Sequence, residues 1–194
     1  MVIYNIIYFN FLKCLINYIY QTRIFSFSLI FICINIGYIY KLSKICLKSL
    51  FFKGETLRDL VCIDFFYKKK RFSLFYNYLN YNYNISFFFW GNISLYVDMP
   101  YTIGVSSLWF LYKSASWLER EVWDLFGIFF INHNDLRRLL TDYGFIGFPL
   151  RKEFPLIGYK DNRYDDFNHV ILYENIQQIN QNYRIYEYTN TFVR

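Results

Sequence analysis

Apolar and polar side chains alternate in the middle of the chain, which predicts a small β-sheet. The alternation runs through residues 85–98 with a period of two, typical of half-buried strands. Gly91 and Asn92 interrupt it, and a two-residue Gly-Asn link between such runs predicts a tight hairpin turn. Residues 71–79 (RFSLFYNYL) are also strongly β-prone. The pattern predicts about three strands between residues 60 and 98.

A helical period replaces the alternation after Pro100. Ser116 and Glu119 have the spacing of a capping box, so a break near residues 114–116 would divide the helical stretch in two. Gly127 is placed to end the helix in the left-handed conformation. Apolar residues spaced three and four apart form one stripe, interpreted as ordinary core packing: Leu108, Leu111, Ala115, Leu118, Val122 and Leu125.

The regions outside this centre are less regular. Residues 55–67 are interpreted as a short helix or turn leading into an apolar strand. Glycines and prolines crowd residues 144–158 and preclude long helices there, while residues 169–174 predict one more strand. The segment from residue 149 onwards, whose end is rich in Gln, Asn and Tyr, is predicted to lie along another surface.

These patterns predict an α+β fold with a small mixed sheet and packed helices, followed by an irregular extended C-terminal tail. We divide the chain into an apolar basic extension (residues 1–50), an α+β core (residues 51–148) and a partner-binding tail (residues 149–194). The extension is predicted to be helical. Its 17 uncharged residues from Ile24 to Tyr40 reach only the lower length limit of a membrane-spanning helix. A helix packed on the body or on a partner is the favoured interpretation. The alternative is that Ile24–Tyr40 spans the membrane, which would bring residues 1–50 into direct membrane contact.

Charge and chemistry narrow the function classes. Five of the six net positive charges lie in the extension, which holds five basic residues and no acidic one, so the body is nearly neutral. This argues against a nucleic-acid partner. The cysteines (Cys14, Cys33, Cys46 and Cys62) form no local pair, and the two histidines, His133 and His169, lie far apart. We therefore predict no catalytic, cofactor-binding or metal-binding residue in this chain.

Residues 116–165 combine dense charge with clustered glycine and proline. Arginine suits bidentate pairing with carboxylates, and glycine permits close backbone approach, so the segment predicts an ion-pair platform that docks a large partner. A solvated charged face is the alternative. Arg120 and Asp124 are spaced to pair one turn apart. The candidate interface residues are Glu119, Arg120, Glu121, Asp124, Arg137, Arg138, Asp142, Arg151, Lys152, Arg163 and Asp165.

The same segment resembles the 30 kDa subunit family of respiratory complex I. The resemblance rests on WLEREVWDLFGI at residues 117–128, HNDLRRLLTDYGFIGFPLRKEFPLIGY at residues 133–159 and RYD at residues 163–165. Asn134 stands where the family has proline, and Phe148 where it has histidine. The resemblance covers about residues 55–194, and residues 1–50 have no clear counterpart.

This resemblance implies a cofactor-free structural subunit of the peripheral arm of NADH:ubiquinone oxidoreductase, the H⁺-translocating complex of the mitochondrial inner membrane, on its matrix side. The expected partners are the 49 kDa quinone-site subunit, over which the C-terminal tail would lie, and other subunits of the quinone module. FMN, iron–sulfur clusters and ubiquinone are expected in neighbouring subunits. A small organelle-encoded ribosomal or RNA-binding protein and a free-standing membrane protein remain as alternatives.

Overall fold

Five strands form a mixed sheet in the computed structural model, which describes residues 19–26, 29–49, 53–68, 70–93 and 104–176. The strands are β1 (Ile19–Ser26), β2 (Leu29–Ile34), β3 (Thr56–Asp64), β4 (Phe72–Asn80) and β5 (Ile85–Ile93). Their order is β1-β2-β5-β4-β3; β2 and β5 are parallel, and the other neighbours are antiparallel. The expected mixed sheet is confirmed, and residues 56–64 belong to a strand rather than to a short helix.

The predicted helical extension is wrong for residues 19–26 and 29–34, which form β1 and β2. The backbone of β2 pairs with β5, and Ile32 and Ile34 bury their side chains on one face. Alternating β-branched residues fit a pleated sheet better than a helix. Among the described residues of this extension, the expected α-helix follows a 3₁₀ turn (Ile36–Tyr38), as α1 (Ile39–Lys48). None of the helices in the described ranges has the length and apolar run that a membrane crossing requires.

The hairpin predicted at Gly91 and Asn92 is also wrong, because β5 runs through both residues without a break. The turn lies earlier, at residues 81–84, where Asn84 takes a φ of 50° and the Asn80 side chain accepts the Asn82 N–H at 3.0 Å. A Cβ on Gly91 would lie 2.9 Å from the Ile36 side chain, so glycine serves close packing there. The strand expected over residues 93–98 falls mostly outside the described residues.

The core lies on the sheet face that carries Tyr76 and Tyr78. Helix α1 buries Ile39, Leu42, Ser43 and Cys46, and its Ser43 hydroxyl lies 2.7 Å from that of Tyr78. These burial positions follow a helical period and allow one apolar stripe to cover the sheet.

A second helix, α2 (Ala115–Phe126), ties the charged segment to this core. It begins at the predicted break, and residues 108–111 of the apolar stripe lie in turns before it. The predicted capping box is wrong: the N-cap is Ser114, which makes no side-chain cap bond, and Glu119 turns inward. Gly127 ends the helix with φ 72°, as predicted. Two short strands, β6 (Val105–Ser106) and β7 (Phe130–Ile131), pair in parallel on either side of the helix in sequence.

The chain divides into two compact units, one ending at Lys152 and the other beginning at Glu153. The second unit contains an antiparallel hairpin of β8 (Lys160–Asp165) and β9 (Val170–Asn175). The strand predicted at residues 169–174 corresponds to β9, whereas β8 was not predicted. Residues 177–194, the rest of the expected extended tail, lie outside the described residues.

Candidate docking surface

Residues 132–152 follow β7 and form what we call the anchored loop. All of them are described, and none belongs to a helix or strand. A loop of this length without secondary structure needs other partners for its backbone. Side chains from α2, from the sheet and from the loop itself supply those partners.

Asp124 is the central anchor. Its carboxylate is fully buried on α2, where it accepts the backbone N–H groups of Leu139, Leu140 and Thr141 at 2.7–3.2 Å and the Thr141 hydroxyl at 2.6 Å. Burial alone would raise the pKa of Asp124, but the bonds from Thr141, Leu140 and Leu139 hold that pKa below its usual value. The carboxylate therefore holds one turn of the loop as a helix N-cap residue holds a helix.

Two arginines bond to backbone carbonyls of the loop. Arg138 donates to the carbonyls of Phe145 and Gly147 at 3.0 and 2.9 Å, and it lies 3.7 Å from the Asp124 carboxylate. Arg120, on α2, donates to the Arg137 carbonyl at 3.0 Å. The guanidinium groups thus satisfy carbonyls that a loop without strands would leave unpaired.

The end of the loop closes against the end of α2. Arg151 donates to the Phe126 carbonyl at 2.7 Å, and its guanidinium lies over the Phe148 ring at 4.3 Å. Arg138 lies over the same ring at 5.0 Å, so two cations flank Phe148. A Cβ on Gly127 would lie 2.6 Å from both Arg151 and Phe148, and glycine at this position permits the closure.

A carboxylate from the sheet completes the closure. Asp64, at the end of β3, pairs with Arg71 through two bonds of 2.7 Å and accepts the Lys152 N–H at 2.9 Å. Burial alone would raise the pKa of Asp64, but the Arg71 and Lys152 bonds lower it below its usual value. Asp64 was not among the predicted site residues, since nothing local in β3 marks it.

The loop presents apolar side chains to solvent. The exposed fraction is 97% for Tyr143 and 72% for Ile146, and Leu140 and Leu150 are also more than half exposed. Exposed apolar patches on soluble proteins often mark interaction sites. These residues escaped the sequence prediction, although the neighbouring glycines in Tyr143-Gly144 and Ile146-Gly147 signal them.

The structure separates the predicted interface residues into two groups. Glu119 and Asp124 are fully buried, and Arg120, Arg138 and Arg151 are half-buried and bond to carbonyls. The predicted pairing of Arg120 with Asp124 is wrong, because both bond to backbone groups of the loop instead. The exposed members in this unit are Glu121, Arg137, Asp142 and Lys152. Arg137 pairs with Asp135 on the surface at 2.7 Å.

The remaining two predicted residues belong to the hairpin of the second unit. Arg163 pairs with Glu174 across the two strands at 2.8 Å, and both side chains are well exposed. Asp165 accepts the Phe167 N–H at 3.1 Å within the hairpin turn. This hairpin exposes Phe167, Ile171 and Tyr173 as well.

The cysteines of the described residues are dispersed. Cys46 and Cys62 are buried, and burial raises the pKa of both thiols, so they are neutral. Cys33 is half-buried. Within the described ranges, no three His, Cys, Asp or Glu side chains are arranged to hold a metal ion.

Comparisons with known proteins identify the same region. Residues 39–160 match the profile of the family described as "Respiratory-chain NADH dehydrogenase, 30 Kd subunit". NADH-ubiquinone oxidoreductase subunit 9 of Acanthamoeba castellanii is 46% identical over 136 residues, which are 70% of this chain and 65% of that protein. The chain thus spans just under two thirds of that relative's length. NADH dehydrogenase [ubiquinone] iron-sulfur protein 3 of Beta trigyna is 40% identical over 156 residues, 80% of this chain and 78% of that protein.

A solved structure supports the fold. A chain of the membrane-bound sulfane sulfur reductase, an archaeal respiratory membrane complex, superposes with a TM-score of 0.63 at 18% identity. The match covers 79% of this chain and 86% of that one. At this identity the likeness shows the fold alone.

Proposed function

The chain belongs to the family of the 30 kDa subunit of respiratory-chain NADH dehydrogenase, and from this we propose that it is a non-redox structural subunit of the peripheral arm of NADH:ubiquinone oxidoreductase. In this role it supports the module that reduces ubiquinone and carries no electron itself. Its contribution is positional, because electron transfer and quinone chemistry require fixed distances.

The anchored loop carries this proposal. Its backbone is fixed by Asp124 and Arg138, while Tyr143 and Ile146 point outward. A rigid segment with exposed aromatic and aliphatic side chains is suited to fill pockets on a partner, since little conformational entropy is lost on binding. We propose that the partner bound at this surface is the 49 kDa quinone-site subunit.

The hairpin of the second unit supports the proposal independently. A two-stranded hairpin is marginally stable alone, and this one exposes Phe167 at 91% together with Ile171 and Tyr173. We propose that the hairpin and the residues after it lie on the same partner. The ion pair of Arg163 and Glu174 then contributes to its shape more than to its stability.

The cofactors follow from the placement in the complex. We propose that FMN, the iron–sulfur clusters and ubiquinone are held by neighbouring subunits, and that this chain lies at the matrix side of the mitochondrial inner membrane. The neutral, dispersed thiols of Cys46 and Cys62 fit poorly with cluster ligation, which requires grouped thiolates. Iron analysis of the purified full-length chain after anaerobic reconstitution tests this, and stoichiometric iron would contradict it.

Replacing Tyr143 with Asp tests the docking surface. The change puts a charge on the most exposed side chain of the loop, so we expect much less assembled complex while the free chain remains folded. The measurement is the amount of NADH-oxidising complex on native gels, with NADH-dye staining of the subcomplexes.

Tyr67 supplies the matched control, because it is also 97% exposed but lies in the turn after β3. Tyr67→Asp should leave the amount of complex unchanged. Equal loss in both variants, or no loss with Tyr143→Asp, argues against the anchored loop as the docking surface. Full assembly with lost quinone reduction would instead indicate a direct catalytic role.

A further inference from the structure

A buried acid and a buried base meet where the anchored loop begins. The side chains of Glu119 on α2 and His133 after β7 are 0% and 1% exposed, and Glu119 Oε2 lies 3.9 Å from His133 Nε2. The docking surface described above uses neither side chain. We call Glu119 and His133 the couple. It connects α2 to the segments after both short strands, because His133 follows β7 and Glu119 also bonds to residues that follow β6.

Geometry fixes the protonation of the histidine. His133 Nδ1 accepts the Asp135 N–H at 3.1 Å, so that nitrogen carries no proton. Nε2 lies 3.3 Å from the Ser116 carbonyl and must therefore be the ring's donor. The imidazole is neutral in this arrangement, and desolvation by burial lowers its pKa. Protonation at Nδ1 would break the bond to Asp135.

The surroundings of Glu119 favour its neutral form. The carboxyl accepts the Leu108 N–H at 2.7 Å and the Ser107 hydroxyl at 2.5 Å, both neutral donors. The Tyr76 hydroxyl of β4 is buried nearby without a hydrogen-bond partner among the described residues. Burial raises the pKa of Glu119 to about 7, although the Leu108 and Ser107 bonds oppose this.

Two nearby charged groups act on the pKa of His133 in opposite directions. Arg120, on α2, lowers the pKa of His133, and Asp135, two residues after the histidine, raises it. Burial, the largest influence on both groups, lowers the pKa of His133 and raises that of Glu119.

We propose that Glu119 and His133 form a proton-compensated latch, in which the closing of the loop's first turn on α2 removes a proton from His133 and adds one to Glu119. On closing, the Nδ1–H bond of the imidazolium breaks and its proton passes to water. Water delivers a proton to the carboxylate, where an O–H bond forms. The net proton count is unchanged, so loop closure is insensitive to pH although two titratable groups lie at its base.

The sign of each contribution follows from linkage. Glu119 has a raised pKa in the closed state, so its stabilisation is fully present below its ordinary value of 4.5 and is lost as pH rises through about 7. His133 has a lowered pKa, so its stabilisation is present above its ordinary value of 6.5 and is lost as pH falls through the lowered value. Below pH 6.5 the two slopes oppose each other.

Hydrogen–deuterium exchange of the purified full-length chain tests the latch. The readout is the protection of residues 132–141, corrected for intrinsic exchange, between pH 4.5 and 8, with residues 72–93 as internal reference. In the unmodified chain, the protection should stay nearly constant between pH 5 and 6.5. Glu119→Gln should uncover a loss of protection as pH falls, by up to about tenfold per pH unit, the limit for one proton.

His133→Asn should uncover the opposite slope, with protection lost as pH rises, because asparagine still accepts the Asp135 N–H but does not titrate. His169→Asn, on the exposed hairpin, should leave the profile of the unmodified chain. Slopes of the same sign in both variants, or an unchanged profile in Glu119→Gln, would overturn the proposal. Glu119→Gln is isosteric and decides the question even if His133→Asn does not fold. None of these measurements involves the proposed partner.

Discussion

The anchored loop and the β8–β9 hairpin are both densely charged but use their charges differently. At the loop, Arg138 and the buried Asp124 of α2 bond to backbone groups of the loop. In the hairpin, Arg163 and Glu174 pair with each other on the solvent-exposed surface. A buried carboxylate that satisfies several N–H groups fixes a structure, whereas an exposed ion pair contributes little. The density of charged residues in a sequence therefore does not show which charges are buried and fix the backbone and which are exposed.

Asp124→Ala should give the largest effect. It leaves three backbone N–H groups without their acceptor in a buried site, so we expect a loss of about 3–5 kcal/mol in the free energy of unfolding. Urea unfolding followed by tryptophan fluorescence reports this, because all four tryptophans precede residue 153. Asp135→Ala is the matched control on the exposed side of the loop and should change the stability little. Similar losses of unfolding free energy in the two variants would contradict the distinction between the buried carboxylate and the exposed one.

Gly127→Ala tests how tightly the end of the anchored loop closes against the end of α2. The position has φ 72°, and a Cβ would contact Arg151 and Phe148 at 2.6 Å, so we expect a loss of about 2–4 kcal/mol. Gly144 has the same φ, with nothing within 4 Å of its Cβ, so Gly144→Ala should lose only the conformational part, about 1–2 kcal/mol. The same unfolding measurement checks both variants. A difference near zero would mean that Arg151 and Phe148 move aside freely.

Arg151→Lys and Arg163→Lys compare the two regions directly and should give the smallest effects. Lysine at position 151 loses the fixed bond to the Phe126 carbonyl and the stacking on Phe148, which costs about 1–2 kcal/mol. Lysine at position 163 retains an exposed pairing with Glu174, so no measurable change is expected. Hydrogen exchange of residues 145–152 and of the hairpin, measured in the same sample, follows both. Greater sensitivity in the hairpin would reverse the comparison.

Local patterns in the sequence were sufficient for elements whose side chains act locally. Strand β4, the end of α2 at Gly127 and strand β9 were predicted because periodicity and a left-handed glycine need no distant partner. The hairpin at Gly91 failed for the opposite reason. That glycine packs closely against Ile36, more than fifty residues earlier, and such a contact leaves no local signal in the sequence.

The candidate site was predicted in its location but not in its internal arrangement. Residues 116–165 were recognised from charge, glycine and the family resemblance, yet Glu119 and Asp124 were expected on the surface. Their burial depends on the backbone N–H groups of Leu108 and Leu140. Nearly every residue type has a backbone N–H, so the sequence does not show which one will act as a donor. Residues that bond to backbone are therefore the hardest part of such a site to predict.

The pairing of β2 with β5 has a consequence for solubility during synthesis and assembly. Within the residues that match the family profile, β5 is the outermost strand of the sheet, and its backbone groups on one side would have no ladder to join. The segment β1–β2, which precedes the matched residues, covers that row of donors and acceptors in parallel register. A chain shortened to begin at Ile39 would present an open, aromatic-rich edge to other chains, the arrangement that leads to intermolecular strand pairing.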